Sequence, residues 1–141
     1  MTFDELIAVG GMQGLFKVIA NKSNGLIVKD IDSGKTKFVS ARKYQFTPLA
    51  SIAIYTYEDS TPLKKVFTKM HETFESTPPP AISESADSLR TYFKVILEDH
   101  DESRVHHGDI KKVIKWFNYL SNNNLQELFL KKEEEEEEKD K

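Results

Sequence analysis

The sequence predicts an α+β protein, in which a small antiparallel β-barrel-like N-terminal domain precedes three helices and a disordered acidic tail. Three observations predict this class. Short β-branched and aromatic runs, separated by turn residues, fill residues 1–57. From residue 58 the apolar residues recur with the period of an α-helix. Residues 131–141 contain six consecutive glutamates and no apolar side chain.

The composition of the 141 residues excludes several classes of protein. Hydrophobic residues make up 38% and charged residues 30%, which is typical of a globular chain. The longest apolar stretch, Leu6 to Met12, is much shorter than the roughly 20 residues of a membrane-spanning helix. Asp4 and Glu5 stand where a secretory signal has cations. The absence of cysteine excludes disulfides and thiolate chemistry, so we expect a cytoplasmic protein without a membrane partner.

The net charge of −3 is distributed unevenly along the chain. Residues 1–56 carry seven Lys and Arg against four Asp and Glu, whereas residues 57–130 carry nine against twelve. The tail, 131–141, carries four against seven. A basic N-terminal part is compatible with a polyanionic partner, although nucleic-acid-binding domains usually have a larger basic excess.

The β-rich domain, residues 1–57, is predicted from apolar segments with turn residues between them. Asn24-Gly25 is a strong hairpin signal, because both residues tolerate positive φ. Residues 32–34, Asp-Ser-Gly, mark the next turn, and residues 3–9 form either a strand or a helical turn. This spacing of strands favours a small barrel or a curled sheet. The predicted strands are 15–20, 26–31, 36–40 and 52–56.

The helical part is predicted from three apolar stripes. Residues 58–76 contain the first helix and the start of a connector, with Thr61 as N-cap and Pro62 at the first helical position. Residues 77–84 form a Pro-rich linker, and residues 85–130 form a helical domain with a short docking turn at its end. Ser83 or Ser85 is expected to cap the second helix, and Asp109 to lie at the start of the third. The stripes are Leu63, Val66, Phe67, Met70 and Phe74; Leu89, Tyr92, Phe93, Ile96 and Leu97; and Ile110, Val113, Ile114, Phe117 and Leu120.

The Glu-rich tail, residues 131–141, cannot bury apolar surface and is predicted to be disordered or a frayed helix. The simpler interpretation is a solvating tail. The alternative is an electrostatic arm that competes for the basic N-terminal surface.

The order of several motifs resembles a family of bacterial proteins described as a domain of unknown function. The resemblance spans most of residues 3–121, and its most specific part is the segment that begins Asp109-Ile110-Lys111-Lys112. It implies a β-rich, SH3-like N-terminal domain joined to a helical C-terminal domain, and it implies no catalytic residues. The matching segments are 14–18, 24–28, 52–56, 104–105 and 109–118.

No motif in the sequence predicts catalysis, a metal site or a cofactor. Gly11-Met12-Gln13-Gly14 matches the G-x-x-G loop of KH domains, but a β-rich run follows where a helix should. We interpret it as a turn that needs positive φ. His100, His106 and His107 lie among carboxylates without the spacing of a zinc or calcium site. We therefore expect a non-enzymatic protein without metal or cofactor.

Two sets of residues predict a binding surface. Cations and an aromatic near the third strand suit a polyanion or a peptide, because small barrels place aromatics beside cations. This set is Lys35, Lys37, Arg42, Lys43 and Tyr44. The second set is Trp116 and Tyr119, which lie off the apolar stripe of the third helix and suit a protein interface. The sequence thus predicts a protein–protein interaction module or, alternatively, a nucleic-acid-binding regulator that uses its basic N-terminal domain.

Overall fold

The computed structural model describes residues 2–130 and confirms the α+β class. The predicted tail, 131–141, lies outside the described residues. Short 3₁₀ turns cover Phe3–Glu5 and Leu49–Ser51. The strands are β1 Leu6–Val9, β2 Phe16–Lys22, β3 Gly25–Asp30, β4 Thr36–Ser40, β5 Phe46–Pro48, β6 Ala53–Tyr55 and β7 Ser60–Pro62. The helices are α1 Leu63–Glu72, α2 Ala86–Ile96, α3 His107–Asn122 and α4 Glu127–Leu130.

The first five strands form an open antiparallel sheet in the order β4-β3-β2-β1-β5, so the predicted barrel-like closure is not observed in residues 2–130. Strand β6, which was expected to complete the series, pairs with β7 in a separate two-stranded sheet. The physical reason lies at the end of β5. Pro48 has no N–H to donate to a ladder, and the chain then turns through the 3₁₀ segment away from the sheet.

The hairpin between β2 and β3 forms, but its turn differs from the predicted Asn24-Gly25. Lys22 pairs with Gly25, so the loop residues are Ser23 and Asn24. Neither has positive φ, because Asn124 is the one non-glycine residue with positive φ between residues 2 and 130. Gly25 is needed for space instead. A Cβ at this position would overlap the carbonyl oxygen of Val39 on β4 and lie 2.9 Å from the Phe38 ring.

The helices follow the predicted stripes closely. Each of the buried residues of α1, α2 and α3 belongs to its predicted stripe, and Ser85 caps α2 by accepting a hydrogen bond from the Ser88 N–H at 3.1 Å. Two details were wrong. Thr61 and Pro62 belong to β7 and pair with Ile54 and Ala53 of β6, so α1 begins at Leu63. Phe74 lies beyond α1 with 47% of its surface exposed. The described part also contains a fourth helix, α4, where a docking turn was expected.

One hydrophobic core joins the sheet to the helices. It contains Leu6 and Leu15 from the sheet side, together with the buried residues of all four helices. Phe67 lies at its centre, fully buried, with ring centroids of Phe3, Phe117 and Phe129 at 6.1, 6.2 and 5.5 Å. A second, smaller core lies on the other face of the sheet, around Phe16. Because both faces of β1 are buried, its sequence is apolar at every position.

Candidate binding cleft

A cleft of about 900 Å³ separates the sheet from helix α3. Ala8 and Thr47, which are cross-strand partners on β1 and β5, lie on its sheet side. Asp109, Trp116 and Tyr119 line it from α3. We call this space the binding cleft.

The α3 wall of the binding cleft is one helix face. Asp109, Lys112, Trp116 and Tyr119 are spaced by three, four and three residues, which places them in one row along the helix. Both predicted aromatics, Trp116 and Tyr119, therefore line the cleft, and both are half-buried against the main core. Lys112 and Lys115 are exposed beside them. The row spans about 15 Å, at 1.5 Å per helical residue.

The glycine-rich loop between β1 and β2 forms the end of the cleft near Tyr119. Gly11 and Gly14 have φ values of +87° and +85°, which confirms the turn interpretation of this motif. Gly14 is also needed for space, since a Cβ there would lie 2.8 Å from the Tyr119 hydroxyl oxygen. This hydroxyl donates a hydrogen bond to Asp30 Oδ1 at 3.4 Å. Burial, followed by the charge of Asp30, raises the pKa of Tyr119, so the phenol stays neutral and serves as a donor.

The opposite end of the cleft is formed by Tyr55 and Arg104. The Arg104 guanidinium carbon lies 4.5 Å from the centre of the Tyr55 ring, and its Nε donates to Asp101 Oδ2 at 2.9 Å. The Ser103 hydroxyl and backbone N–H donate to Asp101 Oδ1 at 2.6 and 3.0 Å. These bonds hold Arg104 beside the aromatic ring. Sequence reasoning missed this group, because no spacing rule connects Tyr55 with residues 101–104.

The hydrogen bonds around Asp101 make its contribution to stability depend on pH. Donation from Ser103, and then from Arg104, lowers the pKa of Asp101 from 3.8 to about 2. A carboxylate with a lowered folded pKa stabilises the protein above the unfolded value and loses this contribution as pH falls. Asp101→Asn should therefore destabilise the protein at pH 7 but not near pH 2. Urea unfolding of both proteins at pH 7, 4 and 2 checks this prediction, and an unchanged difference across that range would contradict it.

The other predicted binding residues lie outside the cleft. Lys35, Lys37, Arg42 and Lys43 are all exposed, on β4 or in the turns next to it. The Lys37 ammonium lies 5.2 Å from the centre of the Phe16 ring. Tyr44 is half-buried against the second core. The structure therefore places this first predicted set away from Trp116 and Tyr119, with Lys37 and Tyr44 on the second-core face of the sheet.

The histidines do not form a metal centre. His100 is buried, and its Nδ1 lies 2.7 Å from the Leu97 carbonyl oxygen while its Nε2 lies 3.2 Å from Arg90 Nη1. This geometry assigns the donor role to Nδ1 and the acceptor role to Nε2. His106 and His107 are exposed at the start of α3. In the span 2–130 no group of three or more His, Cys, Asp or Glu side chains is arranged to hold a metal ion.

The described lining of the binding cleft carries balanced charge. It has three carboxylates, from Asp30, Asp32 and Asp109, and three cations, from Arg104, Lys112 and Lys115. The remaining lining combines aromatic, aliphatic and amide side chains with the backbone of the glycine-rich loop. This chemistry suits a ligand that has both charges and apolar groups. No helix formed by residues 2–130 has the length and apolarity that a membrane span requires.

These features describe a small α+β protein in which an open sheet and a set of helices enclose a cleft. Two family models match the chain, a domain of unknown function (DUF5606) over residues 3–49 and a second domain of unknown function (DUF6852) over residues 52–120. A solution NMR structure of a structural-genomics protein from Bacteroides vulgatus is 35% identical, with a TM-score of 0.71. The match covers 88% of this chain and 89% of that one.

The chain belongs to the same bacterial family as this Bacteroides protein. Its two matching domains are described only as of unknown function, and these matches confirm the resemblance seen in the sequence. No curated protein matches it significantly. The two family segments meet between residues 49 and 52. The binding cleft takes Ala8 and Thr47 from the first segment and Tyr55, Arg104 and the α3 row from the second, so it is built at their junction.

Proposed function

We propose that the protein is a non-catalytic interaction module that holds an extended segment of a partner protein in the binding cleft. The observation that carries this proposal is the position of the cleft at the junction of the two family segments. Ligand sites occur preferentially where two structural units meet, as at domain interfaces. The row from Asp109 to Tyr119, about 15 Å long, accommodates four or five extended residues at about 3.3 Å each.

The lining of the cleft matches the chemistry of a polypeptide. Trp116 supplies a large aromatic surface of the kind that anchors protein interfaces. Asp30 and Asp32 lie at the Tyr119 end, and Lys112 and Lys115 lie along the helix row. A peptide can present a cation to the first pair and a carboxylate to the second, and its apolar side chains can pack against Trp116.

A nucleic acid fits this cleft less well. Phosphates would approach the cations of α3 but would also meet Asp30, Asp32 and Asp109, whose carboxylates repel them. The nucleic-acid alternative therefore gains no support from the cleft. A cytoplasmic location, expected from the cysteine-free sequence, is part of the proposal.

The absence of catalysis is also part of the proposal. The described residues that line the cleft include no serine, cysteine or histidine, so they offer no Ser–His or Cys–His pair. Tyr119 has a raised pKa, which makes it a poor general base. These features support a binding function.

A peptide selection tests the proposed function. A random heptapeptide library is displayed on phage and selected on the full chain, and enriched peptides are synthesised and titrated by calorimetry. We expect Trp116→Ala to weaken them at least ten-fold, as for a central interface anchor. Chemical shift changes should concentrate on α3 and the glycine-rich loop. A melting curve shows whether each variant is folded.

The matched control is Tyr57→Ala, which truncates an aromatic with 61% exposure that does not line the cleft. It should leave the affinity unchanged. Trp116 also packs against the core, so its replacement changes core packing as well as the cleft surface. A second variant, Lys112→Glu with Lys115→Glu, changes the α3 wall of the cleft at exposed residues alone. Peptides that bind both cleft variants as tightly as the parent protein would refute the cleft as their site, and a selection without enrichment would refute the function.

A further inference from the structure

The sheet has a second exposed surface, on β2, β3 and β4. Cross-strand partners point to the same face, and Lys17 pairs both with Leu6, which enters the main core, and with Lys29. Lys29 in turn pairs with Thr36 at the edge strand. The sheet face that packs against the helices at β1 is therefore the same face that continues, beyond the helices, across β2, β3 and β4.

The register arranges this surface in three rows. The central row is Ala20, Ile27 and Phe38, and all of its members are apolar. The rows on either side follow from alternation along each strand and lie about 7 Å away, two residues at 3.3–3.4 Å each. One contains Lys22, Gly25 and Ser40, and the other contains Lys17, Lys29 and Thr36. We call this surface the Phe38 face.

The apolar row is partly open to solvent, with Phe38 exposed and Ala20 and Ile27 half-buried. Phe38 is 48% exposed, and so is Ile19, which lies at the β-bulge between Val18 and Ala20. The Phe38 ring rests close to Gly25, since a Cβ on Gly25 would lie 2.9 Å from its Cζ. Because glycine at position 25 has no Cβ, the Phe38 ring can pack closely against the backbone of β3.

The segment that contains β2, β3 and β4 is rich in cations. Residues 16–43 contain seven Lys and Arg and only two acids, Asp30 and Asp32. On the face itself, Lys22 and Lys29 are exposed on opposite sides of the apolar row. Lys17 lies 3.5 Å from Glu5 and is partly neutralised by it. The surface therefore complements an anionic ligand that also has flat apolar groups.

We infer that the Phe38 face binds single-stranded nucleic acid. Bases stack on Phe38 and pack against Ile27 and Ile19, while phosphates on either side meet Lys22 and Lys29. Stacking on an exposed aromatic beside cations is the general mode of single-strand binding. A second copy of this chain is disfavoured, because the cations next to β4 would repel each other. The inference goes beyond the proposed function, since it uses a different surface from the binding cleft.

Fluorescence anisotropy with a short labelled oligouridine tests this inference on the full chain, between about 50 and 200 mM salt. The logarithm of the affinity should fall with the logarithm of salt with a slope of about −1.4 to −2.1, for two or three phosphate contacts. Phe38→Ser should weaken binding about ten-fold. Lys29→Gln should make the slope less steep by about 0.7.

The matched control is Lys37→Gln, which removes one positive charge from the same three-stranded part of the sheet. Lys37 pairs with Val28, whose side chain lies in the second core, so it belongs to the opposite face. We expect it to leave the slope within a few tenths of the parent value. Trp116→Ala should bind oligouridine normally, which separates this site from the cleft.

Three outcomes would overturn the inference. The first is no binding at low salt. The second is an equal change of the salt slope in Lys29→Gln and Lys37→Gln, which would show that binding depends only on the net charge of the protein. The third is an unchanged affinity in Phe38→Ser, together with competition by a poly-glutamate peptide, which would show that the face binds acidic protein segments instead. Melting curves of the variants should coincide with the parent, because both Phe38 and Lys29 are exposed.

Discussion

Replacing Phe67 with alanine will lower the free energy of unfolding by about 3–5 kcal/mol, the usual cost of truncating a buried aromatic. Phe67 is fully buried and contacts the rings of Phe3, Phe117 and Phe129 within 6.2 Å. The substitution therefore leaves a cavity where the N-terminal turn, α3 and α4 meet. Against a typical total stability of about 5–15 kcal/mol, we expect a large drop in the urea midpoint and in Tm.

Phe74→Ala is the matched control for this prediction. It makes the same substitution two residues after α1 ends, on a ring that is 47% exposed. It contacts Phe117 at 6.3 Å between ring centroids, so we expect a loss of about 1 kcal/mol or less. Equal losses for the two variants would contradict the central position of Phe67 in the core.

The sequence predicted the helices well because their signal is local. The stripe Leu63, Val66, Phe67 and Met70 repeats within ten residues, and a helix needs only its own neighbours to satisfy its backbone. The four predicted strands were also located correctly, with small shifts at their ends, whereas β5 was not predicted and β7 lies where the first helix was expected to begin. Both results follow from periodicity along one segment.

The strand pairing could not be predicted in the same way. Whether residues 53–55 complete the sheet or pair with β7 depends on contacts between distant segments and on the turn that follows Pro48. The hairpin turn shows the same limit. Gly25 looked like a turn residue, but the close approach of Val39 on β4, fourteen positions later in the sequence, requires it.

The cleft was predicted only in part for a related reason. Trp116 and Tyr119 stood out because they lie off the apolar stripe of α3. Arg104 and Tyr55 did not, since forty-nine positions separate them and no spacing rule connects them. The signal that could have found this end of the cleft was weak. It was the acidic stretch 98–102 followed by residues 104–105, one of the short segments that carry the family resemblance.

Replacing Gly14 with alanine will cost roughly 2–5 kcal/mol, the second largest effect we expect, and will disturb the binding cleft. Its φ of +85° penalises any side chain, by about 1–2 kcal/mol. A Cβ there would also lie 2.8 Å from the Tyr119 hydroxyl oxygen, and such overpacking adds about 1–3 kcal/mol. Tyr119 must then move, which lengthens or breaks its hydrogen bond to Asp30.

Gly11→Ala separates the cost of the positive φ from the cost of the overlap with Tyr119. Its φ of +87° is nearly the same, but its Cβ would meet only the Tyr44 ring, at 3.9 Å. It should therefore cost the backbone term alone, about 1–2 kcal/mol. The overlap term can be measured by a double-mutant cycle between Gly14→Ala and Tyr119→Ala. Removing the Tyr119 ring should relieve the overlap, so alanine at position 14 should then cost no more than alanine at position 11. Equal costs for Gly14→Ala and Gly11→Ala in the parent protein would instead show that Tyr119 does not rest on Gly14. In that case the loop and α3 would not form one continuous wall of the cleft.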